Sequence, residues 1–208
     1  MSVKVKICGI TRSKDALAAV NAGADLIGLN FWAGTPRHVD IEQARKILDA
    51  VAGRVEPVAV FVNAGREEIL ETAGELGIRT VQLHGSESAE FCRRLEGLRV
   101  IKAFHVGTED DIDRLKNFPA SIYLLDAGGG AMPGGTGREI DWELAGRATR
   151  YGQILLAGGL TPDNVAEAVR IVEPWGVDTA SGVEQAPGIK DRRKIEQFIR
   201  RAKEASGE

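Results

Sequence analysis

Short apolar stretches alternate with segments of helical periodicity along the chain. Strand-like runs fall at 3–9 (VKVKICG), 24–31, 57–63, 80–85, 100–106, 121–127, 153–159 and 176–183. Each is followed by an amphipathic segment, at 13–23, 41–51, 66–77, 89–96, 109–118, 141–149, 161–172 and 190–205. In SKDALAAVNAG, for example, Ala16, Leu17 and Val20 keep helical spacing before a glycine stop. Strict alternation of strand and helix implies parallel pairing, because each helix must carry the chain back to the same end of the sheet. Eight such units in 208 residues predict an α/β chain folded as one (β/α)8 TIM barrel domain over 1–208. An open doubly wound sheet would carry G-x-G-x-x-G after its first strand, and CGITRS does not.

In a barrel of this kind, catalytic groups sit at the C-terminal ends of the strands. Strand side chains alternate with period two, so Lys4, Lys6 and Cys8 share one face and Val3, Val5 and Ile7 the other. The apolar set packs against helices, which turns Cys8 inward at the rim. The same parity puts Gln82 and His84 together on strand four, and Ile122, Leu124 and Asp126 on strand six. Asp178 faces inward with Ala180 and Gly182; it either binds a ligand hydroxyl or pairs with Lys6. Cys8 and Asp126 thus become two ionisable groups at one mouth. Cys8 alone would read as a packed thiol, and Asp126 alone as a cap or ion-pair partner. Cys92, mid-helix beside Phe91 and Leu95, reads as packing. His38 and His105 carry no specific signal.

Glycines crowd the ends of the last two strands, in LLAGGLTPDNV (155–165) and SGVEQAPG (181–188). Thr161 reads as an N-cap, with Pro162 at the first helical position. Loops after strands seven and eight are the usual phosphate site of this fold, so Gly158, Gly159, Ser181 and Gly182 are expected to hold a phosphate. The alternative is a pair of ordinary tight turns. No G-x-x-x-x-G-K-[ST] is present, which removes nucleotide hydrolysis from consideration.

Composition narrows the field further. Hydrophobic residues make up 43% and charged residues 27%, and the net charge is −3, which gives no bulk reason to expect nucleic acid. No apolar run has the length of a membrane span, and Lys4 and Lys6 interrupt any apolar leader. Two cysteines suggest neither a disulfide framework nor a metal cluster. A cytoplasmic protein without metal or cofactor is expected.

These motifs resemble phosphoribosylanthranilate isomerases, the (β/α)8 enzymes of tryptophan biosynthesis. The resemblance runs from Val5 to about Asp191. It rests on KICGIT (6–11), TPR (35–37), VFVN (60–63), VQLHG (81–85), LLD (124–126), GGTG (134–137) with DW (141–142), LAGGLTPDNV (156–165) and SGVEQAPGIKD (181–191). Thr35 stands where the family usually has serine, Ile140 where it has phenylalanine, and Ala180 where it has the first serine of Ser-Ser-Gly-Val-Glu. The stretch AGGGAMP (127–133) is unusually rich in glycine and leaves the loop after strand six undefined.

The resemblance implies an Amadori rearrangement of an aminoaldose phosphosugar to a ketose, with Asp126 as general acid and Cys8 as general base. Arg37, in the loop after strand two, has a planar fork suited to the anthranilate carboxylate, the alternative being a surface salt bridge. His84 is expected to contact substrate or to be a hydrogen-bonded structural histidine, and Asp178 to bind the sugar or Lys6. The partner is a small phosphosugar, and the chain a monomer or homodimer. The histidine-pathway aminoaldose isomerase shares fold and chemistry but typically uses two aspartates, which Cys8 opposes. A flavin-dependent barrel would place its phosphate at the same two loops, but such enzymes are usually longer, and a non-catalytic phosphosugar-binding barrel gives no reason for the Cys8–Asp126 pair.

Overall fold

Eight parallel strands pair in chain order, and the eighth returns to the first, closing a barrel. The strands are β1 (Lys4–Ile7), β2 (Leu26–Asn30), β3 (Glu56–Phe61), β4 (Thr80–Leu83), β5 (Arg99–His105), β6 (Ile122–Asp126), β7 (Ile154–Leu156) and β8 (Gly176–Thr179). Helices α1 (Ser13–Ala22), α2 (Ile41–Val51), α3 (Arg66–Leu76), α4 (Ala89–Arg93), α5 (Glu109–Asp113), α6 (Trp142–Ala148), α7 (Val165–Val172) and α8 (Arg192–Ala205) follow them in turn. The computed structural model describes residues 2–126 and 141–207. The GGTG motif, Ile140 and the AGGGAMP stretch lie outside the described residues.

Period-two alternation sorts the strand side chains into two cores. Val3, Val5 and Ile7 join the outer layer between strands and helices, with Phe61, Leu125, Val177 and Phe198. Cys8, Leu26, Val58, Val60, Ile101, Leu124 and Leu155 fill the barrel interior. The inward reading of Cys8 therefore holds. Helix starts are set by side-chain caps: Asp40, Ser88, Asp141 and Asp191 each accept a backbone N–H from the first turn. Thr108 and Asp111 form a reciprocal capping box on α5.

Four boundaries depart from the sequence reading. Helices α4 and α5 are single turns, because the chain tightens into three-residue hydrogen bonds at Leu95, Leu115 and Lys116. Helix α7 begins at Val165, later than the sequence reading, although Thr161 Oγ1 accepts from Asp163 N at 3.2 Å as a cap would. The Asn164 amide bridges the loop, accepting from Thr161 N at 2.8 Å and donating to the Gly159 carbonyl at 3.1 Å. Residues 181–190 neither continue β8 nor begin α8. A short 3-10 turn at Ser181–Val183 leads into an antiparallel hairpin of β9 (Glu184–Ala186) and β10 (Ile189–Lys190). Gly188, at φ +76°, turns that hairpin against the Pro36 carbonyl, where a Cβ would stand 2.6 Å away.

Candidate active site

A cavity of about 310 Å³ opens at the C-terminal mouth of the barrel. Its wall brings together Cys8, Arg37, His84, Asp126 and Asp178 with Gly158, Gly159 and Ser181. Gly182 is not in that wall. A Cβ there would collide with the Leu160 carbonyl and stand 2.8 Å from Thr179 Oγ1. Its missing side chain lets the loop after β8 pass under the loop after β7, and Thr179 Oγ1 joins the two by donating to Leu160 O at 2.7 Å. Gly158 and Gly159 both take left-handed backbone, at φ +82° and +69°, which a side chain would strain.

Cys8 follows directly on β1 and donates its N–H to Thr179 O at 2.9 Å, which fixes it against β8. Across from it Gly28 is bare: a Cβ would lie 2.7 Å from Cys8 Sγ. Two fully buried lysines lie close enough to feel the sulfur's charge. Lys6, which shares its face, binds Asp178 Oδ1 at 2.8 Å. Burial pushes the Lys6 ammonium down, but Asp178 and the Cys8 sulfur overcome this and hold it above the ordinary lysine value. Burial also opposes the charge of Lys190, and here Glu184 and Cys8 compensate only in part, leaving it below that value. Of the two readings of Asp178, the structure shows the pair with Lys6.

Asp126 ends β6 and is almost fully buried. His84 Nε2 stands 3.7 Å from its Oδ2. The other ring nitrogen meets the Gln82 amide Nε2 at 2.8 Å. With that amide donating, the proton of a neutral ring is left on Nε2, facing Asp126 and the cavity. Nε2 has no hydrogen-bond partner among the described residues, nor has the buried Asn30 Oδ1 in the same wall. Both atoms are suited to a polar ligand.

Arg37 reaches the mouth as expected, but its fork is not open. Nε and Nη2 donate to Glu184 Oε1 and Oε2 at 2.9 and 2.8 Å. Lys190 Nζ donates to the same Oε1 at 2.9 Å and to Ala180 O at 2.9 Å. The Arg37 stem crosses Gly9, where a Cβ would fall 2.5 Å from Cδ. Gly9 has φ +71°. The glycine after the cysteine therefore serves the arginine. Glu184, Lys190 and Asn30 escaped the sequence reading. The first two are joined to Arg37 over about 150 residues of chain, and no local pattern marks such a pairing.

Cys92 sits in the outer core, and burial raises its thiol above the ordinary value. No helix among the described residues is long and apolar enough to cross a membrane.

The family model for N-(5'-phosphoribosyl)anthranilate isomerase matches residues 5–201. The chain is 48% identical over 204 residues to the enzyme of that name from Trichlorobacter lovleyi, covering 98% of this chain and 99% of that one. It is 49% identical over 201 residues to the one from Geobacter metallireducens, with 97% and 99% covered. The crystal structure of the Thermotoga maritima phosphoribosyl anthranilate isomerase superposes with a TM-score of 0.90 at 41% identity, covering 97% of this chain and 99% of that one. A phosphoribosyl anthranilate isomerase solved with reduced 1-(o-carboxyphenylamino)-1-deoxyribulose 5-phosphate gives 0.88 at 40% identity, with the same coverage. A cysteine and an aspartate at one barrel mouth, beside two joined glycine loops, agree with a match along nearly the whole chain: this protein belongs to the phosphoribosylanthranilate isomerase family.

Proposed function

We propose that the chain isomerises N-(5-phosphoribosyl)anthranilate to 1-(2-carboxyphenylamino)-1-deoxyribulose 5-phosphate, with Asp126 as acid and Cys8 as base. The observation that carries this reading is the placement of both groups in one cavity wall, on strands that reach the mouth from different sides. The substrate's phosphate lies against the loops of Gly158–Gly159 and Ser181, and its anthranilate carboxylate toward Arg37. This orientation leaves the ribose over the two reacting side chains.

Asp126 donates its proton to the furanose ring oxygen. The ring C1–O bond breaks as the anthranilate nitrogen lone pair forms C1=N, giving a protonated imine. The Cys8 thiolate then removes the proton on sugar C2, and that electron pair forms C1=C2 while the C=N π pair returns to nitrogen. The resulting enolamine gains a proton at C1 and loses one from the C2 hydroxyl, leaving the ketone. Proton gains and losses balance over the cycle, and acid–base transfer by two placed groups suffices for it. The ammonium of Lys6 attracts the Cys8 sulfur in its charged form, the form a base requires. The His84 Nε2 proton lies where it can bond to Asp126 or to a sugar oxygen.

Consumption of freshly prepared phosphoribosylanthranilate, followed by loss of its fluorescence, tests the reading. Turnover by the purified protein supports it, and no turnover by folded protein refutes it.

A further inference from the structure

Resting on that reading, we infer that Glu184, itself held by Lys190, is a positioning residue that presents Arg37 end-on to the substrate carboxylate and so sets the preference for a carboxylated aromatic ring. Among the described residues the Arg37 guanidinium bonds Glu184 through Nε and Nη2, the side-on edge that a carboxylate normally takes bidentately. Neither bond uses Nη1. A ligand carboxylate must therefore approach the end of the group, between Nη1 and the second hydrogen of Nη2. The angle of that edge is set by Glu184.

Glu184 in turn has little freedom. Its Oε1 also accepts from Lys190 Nζ at 2.9 Å and from Gly188 N at 3.2 Å. Thr11 Oγ1 donates to Gly188 O at 2.6 Å, which seats the hairpin on the loop after β1. Along its stem Arg37 lies on Gly9, so the side chain is fixed at both ends.

The charge count gives the second part of the argument. Arg37, Glu184 and Lys190 bring two cations and one anion into a nearly closed space, with side-chain exposures of 17%, 6% and 0%. Arg37 paired with Glu184 alone would be neutral as a unit and a weak anchor for an anion. With Lys190 bonded to the same carboxylate, Glu184 is shared between two cations, and less of its charge cancels that of Arg37. Lys190 also ties this network to the phosphate side of the cavity, since its other bond is to Ala180 O, next to Ser181.

The test compares two ligands on three proteins. The ligands are reduced 1-(o-carboxyphenylamino)-1-deoxyribulose 5-phosphate and the same compound with a phenylamino group lacking the carboxylate. The proteins are wild type, Glu184→Gln and Lys190→Met, with binding measured by calorimetry and folding checked by circular dichroism. We expect Glu184→Gln to weaken the carboxylated ligand about tenfold and the phenylamino ligand less than twofold, and Lys190→Met to shift the same ratio in the same direction. Equal weakening of both ligands, or an unchanged ratio in Glu184→Gln, overturns the inference, since a merely structural role would not tell the ligands apart. If Glu184→Gln does not fold, the ratio in Lys190→Met decides. Wild type that binds neither ligand and turns over no substrate instead removes the proposed function itself.

Discussion

His84 aims Nε2 at Asp126 Oδ2 across 3.7 Å while Gln82 holds its other nitrogen at 2.8 Å. The gap is too long for a hydrogen bond and short enough for electrostatic coupling. Period-two spacing puts Gln82 and His84 on one face of the chain at β4, so a single strand supplies both the imidazole and its support. If Asp126 donates the ring-opening proton, Asp126→Asn lowers kcat by at least ~10²-fold, with product-analogue binding within about tenfold, or ~1.4 kcal/mol. Near-normal turnover in this variant would remove Asp126 from the mechanism.

Cys8→Ala folds and loses turnover by ~10²–10⁴-fold, and Cys8→Ser does not restore it, because a serine hydroxyl is seldom ionised. Bound product analogue protects Cys8 but not Cys92 from alkylation. Peptide mapping after iodoacetamide labelling reads this directly. A folded Cys8→Ala protein keeping more than about a tenth of wild-type kcat would contradict the base assignment, given the range above.

Gly28→Ala puts a methyl group where Cys8 Sγ now lies 2.7 Å away. The thiol must swing off its position, so activity falls more than stability. The expected stability loss is about 1–3 kcal/mol and the loss of kcat/KM at least ~10²-fold, the scale of a 1 Å misplacement. Urea unfolding and steady-state kinetics on the same preparation separate the two. Full activity would show that the sulfur's present position is not the working one.

Lys6 is fully buried and pairs with Asp178 at the cavity wall, so breaking the pair from one side leaves an uncompensated charge. Lys6→Met alone costs about 3–5 kcal/mol, and the double variant Lys6→Met/Asp178→Leu recovers much of it. Activity stays low in both, because the cation beside Cys8 is gone. A double variant no more stable than Lys6→Met would mean that the pair's charge is not what the single substitution exposes.

Acid pH adds a separate check on Glu184. Burial opposes its charge, but Arg37 and Lys190 overcome this and hold the carboxyl below the ordinary glutamate value. A group depressed in the folded state stabilises above its unfolded pKa and loses that contribution as pH falls through the folded one. The stability gap between wild type and Glu184→Gln is therefore widest near neutrality and narrows below the ordinary glutamate value. A gap constant from pH 7 down to the acid transition would show that Glu184 contributes by shape alone.

The features legible in the sequence were those with a short period. Alternation placed Val5 and Cys8 in different cores, and strand–helix order gave the barrel. Strand ends then nominated Cys8, His84 and Asp126 without any knowledge of their neighbours. The illegible features depend on partners distant in the chain. Asp178 could not be assigned to Lys6 rather than to a ligand hydroxyl, and nothing local marks Glu184 as the partner of Arg37. Thr161 does cap the turn, its Oγ1 accepting from Asp163 N at 3.2 Å and its carbonyl from Val165 N at 3.1 Å, but the regular helix starts only at Val165. The hairpin at 184–190 was hidden because its strands are three and two residues long, too short to alternate visibly.

Barrel closure sets an order in time. Lys6 and Asp178 are register partners across the β1–β8 seam and lie 172 residues apart. A ribosome adding ~5–20 residues per second releases β1 roughly ten to thirty seconds before its partner exists. During that interval the first strand carries an ammonium destined for a dry interior, with no carboxylate to receive it. The β1–β8 seam therefore joins the first strand made to the last, and Lys6 gains its carboxylate partner only when the barrel can close.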